Sequence, residues 1–541
     1  MRGKWKRALL AAGVFVSVLA GMLSAPVRTG AEELMTAVDF AVTVEGKEFP
    51  DFSVPAASDL PEMQDSPEMQ DSPGVPEIPD SPDALDLSET QDEAAEPDHS
   101  IRTDSSGIRY RETGEVLLGA YANNRNNKMY LSLRDLAALL NGTSAQFDFH
   151  LDRELGSYVL TKGIPYTPVA EPEAEPETNP GDHYDGEGNL YDEEGNLIAA
   201  APQEVQRPWY EYLSYYINPL IIDGEETRYY SMQLSLTEDL YIDPVDAELI
   251  LNITLQKEAD TIRIDPSGFR IDLTEFSEDG YFDLFNGVVL GDASTGEILF
   301  GCKETNPDAI ASTSKLMTYL IMARYLEQGR ISLDDPVVLS DQVGALIDFG
   351  YGTLEMRAGQ EVKLRDLVGA MMLPSSNEAA LAIAEHVAGT ESQFVRLMNE
   401  MAQNLGLSTA RFYNSSGLPV YSDSLIASPQ QNHMSAADLF RLSAAIVNNY
   451  PEILTFSSRK TMELESLGYS VDNSNYLLFN MQNCVGLKTG TTDEAGCCLV
   501  AAATVQKDDG PHTLIAVILG ANSNLDRFQV PQLLLTWGGQ Q

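Results

Sequence analysis

The sequence predicts an α/β (α+β) protein whose C-terminal half is an antiparallel sheet flanked by helices, preceded by small α+β repeats and acidic linkers. Three observations carry this. Val288-Val289-Leu290 and Glu297-Ile298-Leu299-Phe300 flank a polar turn at Asp292–Gly296, the signature of a β-hairpin. Extended segments return after Lys488, where Cys498–Val505 and Leu514–Leu519 are joined at Asp508-Asp509-Gly510. Between them, a run from Leu316 to Leu326 is apolar almost all round until Gly329, so it predicts a helix buried through the core.

Taken in order, the chain starts with Arg2, Lys4, Lys6 and Arg7 before an apolar run from Ala8 to about Ala25. That is the pattern of a secretory signal, with Thr29-Gly30-Ala31 or Leu23-Ser24-Ala25 as cleavage sites. The run is also long enough for an uncleaved membrane anchor. Residues 1–31 are therefore assigned to a signal or anchor, and the rest to an extracytoplasmic location. Residues 32–107 are assigned to a linker, because the stretch from about Phe49 to Ser100 is acidic, rich in proline and carries a direct repeat of Pro-Glu-Met-Gln-Asp-Ser.

Structure is expected from 108 to 167. Met129–Leu133 alternates as a strand, Arg134–Asn141 reads as a short helix stopped by Asn141-Gly142, and Phe147–His150 and Ser157–Leu160 read as further strands. A diverged copy spans 208–277, with Asp239–Asp243, Val245–Leu251 and Thr261–Asp265 as strand, helix and strand. On these residues, above all the line Y-L-S-L-R-D-L-A-A-L-L-N-G, the repeat resembles the stalk-like module named after the N-terminal domain of copper amine oxidases. The resemblance implies a spacer or wall-facing adhesion module and supplies no copper ligands. The intervening 168–207 is a second acidic linker. Its Tyr184–Leu190 and Tyr191–Leu197 segments have no EF-hand ligand spacing and read as a solvated hairpin or loop.

Charge narrows the function. A net charge of −48 excludes a general nucleic-acid or anionic-membrane binder. Four cysteines in 541 residues make no disulfide scaffold, and the six histidines have no metal-ligand spacing, so no metal or cofactor is expected.

The chemistry lies in 278–541. Ser312 and Lys315 stand three apart at the start of the buried helix, which stacks them on one face. A serine hydroxyl is a weak nucleophile until a neighbouring group takes its proton, and a lysine does so only when desolvation or nearby cations lower its pKa. The start of a helix also presents free N–H groups to a developing oxyanion. Ser375-Ser376-Asn377 follows after Pro374, where it either caps the next helix or projects Ser375 and Asn377 into a cleft. Lys488-Thr489-Gly490-Thr491 follows later, with a glycine that lets a ligand backbone lie close. Each element alone is weak; the three in this order are specific.

With the phrases A-S-T-S-K-L-M-T, M-L-P-S-S-N-E-A-A, F-Y-N-S-S-G-L, H-M-S-A-A-D-L and G-L-K-T-G-T-T-D-E-A-G, the region from about Tyr281 onward resembles the serine D-alanyl-D-alanine carboxypeptidases, the low-molecular-mass penicillin-binding proteins. The resemblance implies a penicillin-binding protein/β-lactamase-like fold. It also implies Ser312 as the acylated nucleophile, Lys315 as proton acceptor and Ser375 as proton bridge to the leaving amine. Asn377 would hold the substrate peptide, and Lys488 and Thr489, beside Gly490, its terminal carboxylate. The backbone N–H groups of Ser312 and Thr491 would form the oxyanion hole. His433 and Asp438 match the family phrase and read as structural.

The implied substrate is a peptidoglycan stem peptide ending in D-Ala-D-Ala, with β-lactams as covalent inhibitors. An endopeptidase acting on cross-links shares the same residues. A class A β-lactamase needs a deacylating glutamate before K-T-G, and the stretch from Leu407 to Gly417 has no carboxylate. A wall-binding protein with a dead enzyme domain does not account for a complete set of reactive side chains.

Overall fold

A computed structural model describes residues 35–49, 101–111, 114–123, 128–153, 155–168, 220–229, 231–233, 239–258, 261–278, 280–348, 350–420 and 429–541, with strand fragments at 183–184, 190–191 and 197–199. The proposed signal or anchor and the proline-rich repeats lie outside the described residues. Among those described, no helix is long and apolar enough to cross a membrane.

The chain divides into two compact units. The first comprises residues 1–147, 165–204 and 255–266. Its central strand, Met35–Val44, pairs antiparallel with Val116–Asn123 and parallel with Thr261–Asp265. Composition assigns these residues to the linker of 32–107. Locally, though, Val38, Phe40, Val42 and Val44 alternate with polar or small residues, the period of a half-buried strand. The helix Leu133–Leu140 is capped by the Ser132 hydroxyl, which accepts the Asp135 N–H. The buried Asp135 carboxylate takes the Arg109 guanidinium at 3.1 Å, and Asp39 takes it at 2.8 Å. In the acidic tract 168–207, three short segments form a small antiparallel sheet.

The second unit comprises residues 148–164, 205–254 and 267–541 and so includes Ser312–Lys315, Ser375–Asn377 and Lys488–Thr491. Its sheet contains β1 (Gly287–Asp292), β2 (Glu297–Cys302), β3 (Cys484–Thr492), β4 (Gly496–Lys507) and β5 (Gly510–Ala521) in the order β2-β1-β5-β4-β3, every pair antiparallel. Alternation along the strands splits the core in two. Val289, Val500, Ala502, Ile515 and Val517 face one cluster, and Val288, Leu290, Leu499, Ala501 and Ile518 face another. The first face is covered by helices that include α1 (Lys315–Glu327), α2 (Leu364–Met372), α3 (Asn377–Ala388), α4 (Glu391–Asn404) and α5 (Ala436–Asn449). The second is covered by α6 (Asn524–Gln540), through Phe528, Val530, Leu533 and Leu534. This is the expected antiparallel sheet with helices on both sides.

The unit also reaches upstream of residue 278, where the sequence division begins the catalytic domain. Gln529 and Gln532 of α6 are buried and need polar partners. The Gln529 Nε2 donates to Asp243 at 2.7 Å and Asp246 at 3.1 Å, and the Gln532 Nε2 donates to the Tyr229 hydroxyl at 2.8 Å. The Arg228 guanidinium lies 3.8 Å from the centroid of the Phe479 ring. Phe269 and Leu273 join the α6 cluster.

Candidate active site

Residues Ala311–Ser314 form a single 3-10 turn that runs into α1, whose residues Lys315–Ala323 are all buried. Ala311 holds φ at 44°, a left-handed conformation costing a non-glycine residue about 1–2 kcal/mol. Two glycines account for that backbone path. A Cβ on Gly417 would lie 1.9 Å from the Ala311 carbonyl oxygen, and one on Gly490 would lie 3.0 Å from the amide nitrogens of both Ser312 and Thr313. The K-T-G glycine therefore admits the backbone of the Ser312 turn itself.

The Lys315 side chain is fully buried, and its Nζ lies 2.7 Å from the Ser312 Oγ, 2.8 Å from the Asn377 Oδ1 and 2.8 Å from the Ser416 carbonyl oxygen. Burial, and after it the charge of Lys488, push the Lys315 pKa well below the ordinary lysine value, while Glu378 pulls it back up. An amine so placed gives up its charge more readily than an ordinary lysine, which is what accepting the Ser312 proton requires.

Ser375 follows α2 with φ at 71°, and its buried Oγ has no hydrogen-bond partner among the described residues. The left-handed backbone is strained for a non-glycine residue, and the unpartnered hydroxyl does not cap the next helix. The cap of α3 is Ser376, whose Oγ accepts the Ala379 N–H. Asn377 opens α3, donating from its Nδ2 to the Tyr351 carbonyl at 2.9 Å.

On β3, Lys488 is buried beside Thr489. Burial, followed by repulsion from Arg527, brings the Lys488 pKa down to about 7. The Thr489 Oγ1 shares a 2.6 Å hydrogen bond with the Ser474 hydroxyl. Arg527 of α6 donates to the Thr491 Oγ1 at 2.6 Å and to the Gly490 carbonyl at 3.3 Å, placing a second cation behind the strand.

The structure thus brings Ser312, Lys315 and Asn377 into direct contact, sets Gly490 against the Ser312 turn, and ties Thr491 to Arg527. His433 and Asp438 serve the scaffold: the Asp438 carboxylate accepts the Thr409 N–H and hydroxyl, and His433 meets the Gln431 carbonyl.

Several participants are not among the residues to which the sequence assigns a chemical role, although Ser416 and Glu378 lie inside the phrases F-Y-N-S-S-G-L and M-L-P-S-S-N-E-A-A. Ser416 contributes only a carbonyl, and Ser474 is an ordinary loop serine. Glu378 is buried and accepts the Thr353 and Leu354 N–H groups at 2.7 and 2.9 Å. Arg527 is foreshadowed only as the one lysine or arginine of α6. Among the described residues, no group of three or more His, Cys, Asp or Glu side chains is arranged to hold a metal.

Residues 286–523 match the family described as D-alanyl-D-alanine carboxypeptidase. The carboxypeptidase DacD of Escherichia coli is 36% identical over 256 residues, 47% of this chain and 62% of that protein. The D-alanyl-D-alanine endopeptidase of Pseudomonas aeruginosa is 30% identical over 260 residues, 46% of this chain and 76% of that protein. Among solved structures, penicillin binding protein 6B of Escherichia coli matches at 33% identity, covering 47% of this chain and 77% of that one, with a TM-score of 0.42. The chain thus spans less than two thirds of the carboxypeptidase's length.

Proposed function

The chain belongs to the D-alanyl-D-alanine carboxypeptidase family, and from that premise we propose that it is a serine-type carboxypeptidase acting on peptidoglycan stem peptides outside the cytoplasm. The observation that carries this reading is the 2.7 Å contact between a fully buried lysine amine and the Ser312 hydroxyl. Ser312 attacks the carbonyl between the two D-alanines as Lys315 takes its proton. The oxyanion forms against the N–H groups of Ser312 and Thr491, where each donor contributes about 3 kcal/mol. Ser375 passes a proton to the departing amine, D-alanine leaves, and water hydrolyses the acyl-enzyme. Lys488 and Thr489 hold the terminal carboxylate, with Arg527 behind them, and Asn377 holds the peptide preceding the scissile bond. β-Lactams acylate the same serine, because the lactam carbonyl occupies the scissile position.

Mass spectrometry of products from a synthetic pentapeptide tests this directly. Loss of one D-alanine is expected, together with fluorescent-penicillin labelling that Ser312→Ala abolishes. Equal labelling of that variant removes Ser312 from the chemistry. The greater coverage of the Pseudomonas endopeptidase favours including a cross-linked dimer in the assay. Cleavage of the dimer faster than of the pentapeptide would make the protein an endopeptidase.

A further inference from the structure

A cavity of about 280 Å³ lies where residues upstream of 278 pack on the catalytic domain. Its lining comes chiefly from the hairpin Leu220–Ile222 and Glu225–Thr227, the helix Pro244–Leu251, the helical turn Leu477–Asn480 and Gln532 of α6. None of the residues lining it belongs to the Ser312 site. Two buried side chains at this cavity are only partly paired. The Gln532 Nε2 gives one hydrogen to the Tyr229 hydroxyl at 2.8 Å, and each residue is 5% exposed. Among the described residues the Tyr229 hydroxyl gives no hydrogen bond in return, and the Gln532 Oε1 accepts none. The amide nitrogen carries two hydrogens, so Gln532 also keeps one donor. Buried polar groups are ordinarily paired, and these three openings call for a partner that fills them.

Ile222, Leu249 and Leu478 give the cavity an apolar wall. Its charged residues are Lys162, Lys460, Asp223 and Glu225, all exposed and two of each sign, so neither sign of net charge is favoured. A ligand for it is therefore uncharged and has an apolar face. It brings an acceptor for the Tyr229 hydroxyl, and a carbonyl and an N–H for the Gln532 amide. A sugar ring has a C–H face and hydroxyls that both give and accept, and an N-acetyl substituent adds the matching amide. A peptide unit supplies the amide but no hydroxyls for the exposed charged side chains. The volume is at the small end for a ligand pocket, room for one ring rather than a strand. We propose that this cavity binds a single N-acetylated sugar unit. Its source rests on the carboxypeptidase reading: the glycan of the polymer whose stem peptides are trimmed carries such units, and the site holds the enzyme to that strand while Ser312 works on its peptides.

The test is calorimetric titration of the full chain, with Ser312 first acylated by penicillin so that the catalytic cleft is filled. N,N′-diacetylchitobiose should bind saturably in the millimolar range. It should bind about five- to ten-fold tighter than cellobiose, which lacks the acetamido groups, or Nα-acetylalaninamide, which lacks hydroxyls. Tyr229→Phe should weaken the sugar by a similar factor, and Leu249→Trp, which fills the cavity from its wall, should abolish binding. Both variants should still be labelled by penicillin. No saturable binding of diacetylchitobiose overturns the site. Cellobiose or the alaninamide bound as tightly overturns the N-acetylated sugar as its ligand. Unchanged binding by Leu249→Trp overturns the location, and unchanged binding by Tyr229→Phe overturns the part given to that hydroxyl. Binding is read without turnover, so a failed pentapeptide assay bears on the carboxypeptidase reading alone.

Discussion

The backbone of Gly417 lies against the Ala311 carbonyl so closely that a single methyl carbon could not be inserted between them. Gly417 also has φ at 90°, and its N–H donates to the Asn414 Oδ1 at 2.7 Å, so the turn is fixed from both sides. Gly417→Ala should push the Ala311–Ser312 turn away from Lys315. A displacement near 1 Å at a reacting atom costs roughly a hundred-fold in rate, which is the loss expected in penicillin acylation. Circular dichroism should show a folded protein; acylation at the wild-type rate would remove this contact from the list of what positions Ser312.

Two lysines with lowered pKa values frame the pH profile. Lys315 must be neutral to accept a proton, so activity falls on the acid side as it becomes charged. Lys488 must be charged to hold a carboxylate, so in the free enzyme binding weakens as pH rises through about 7. The free-acid peptide should show a rise in KM on the alkaline side, and a C-terminally amidated analogue should not. Lys488→Ala should cost the free-acid peptide about ten- to hundred-fold in kcat/KM, the range of a charge-assisted hydrogen bond, and the amide far less. Equal losses on both would reassign Lys488 to proton transfer or packing.

Glu378 offers a separate handle on the acid limb. Its carboxylate raises the Lys315 pKa, so removing that charge lowers it further and lets the base work at lower pH. Glu378→Gln, which still offers an oxygen to the Thr353 and Leu354 N–H groups, should move the acid limb of kcat/KM downward. An upward shift would contradict the electrostatic assignment.

At the hairpin end of the sheet, the Asp292 Oδ2 meets the His512 Nδ1 at 2.6 Å, and the His512 Nε2 meets Asp509 at 2.9 Å. The hydrogen bond to Asp292 raises the His512 pKa above its ordinary 6.5, so this contribution to stability is present below 6.5 and lost as pH climbs past the raised value. Burial works against the Asp292 charge, but the bonds from His512 and the Ser294 N–H prevail and lower its pKa from 3.8. Its contribution is therefore present above 3.8 and lost as pH falls below. The melting-temperature gap between wild type and His512→Ala should be widest near pH 5 and shrink towards pH 8. A gap that does not vary with pH would mean that packing alone is lost.

A chain beginning at Gly280 lacks Phe269 and Leu273 of the α6 cluster and the acceptors of the Gln529 and Gln532 Nε2 groups. It should melt several degrees below one beginning at Leu220, which keeps Tyr229, Asp243 and Asp246, since each kcal/mol shifts a domain of about 150–250 residues by roughly 2–4 °C. Equal melting temperatures would restore the boundary at 278.

The reactive residues were legible because their chemistry demands particular side chains at fixed spacing, and the sheet because its strands alternate. The buried helix announced itself by lacking a polar face. What the sequence hid acts through backbone or through distant contacts. Ser416 and Gly417 stand in the phrase F-Y-N-S-S-G-L, but the phrase does not say that Ser416 offers its carbonyl or which of the 40 glycines meets Ala311. Val38–Val44 alternates well but borders a tract whose composition dominates any averaged reading. The upstream packing on α6 was signalled by Gln529 and Gln532, two buried amides whose partners lie 286 and 303 positions earlier.

The three neighbours of the Lys315 amine fix more than its position. An ammonium has three N–H bonds and can give one to each of Ser312, Asn377 and Ser416. Once neutral, the nitrogen keeps two hydrogens and gains a lone pair. The Asn377 Oδ1 and the Ser416 carbonyl can only accept, so they retain the two hydrogens. The lone pair is left facing the one neighbour that owns a proton, the Ser312 hydroxyl. Loss of a single proton thus reverses the sense of the 2.7 Å bond and aims the base at its target without moving any heavy atom.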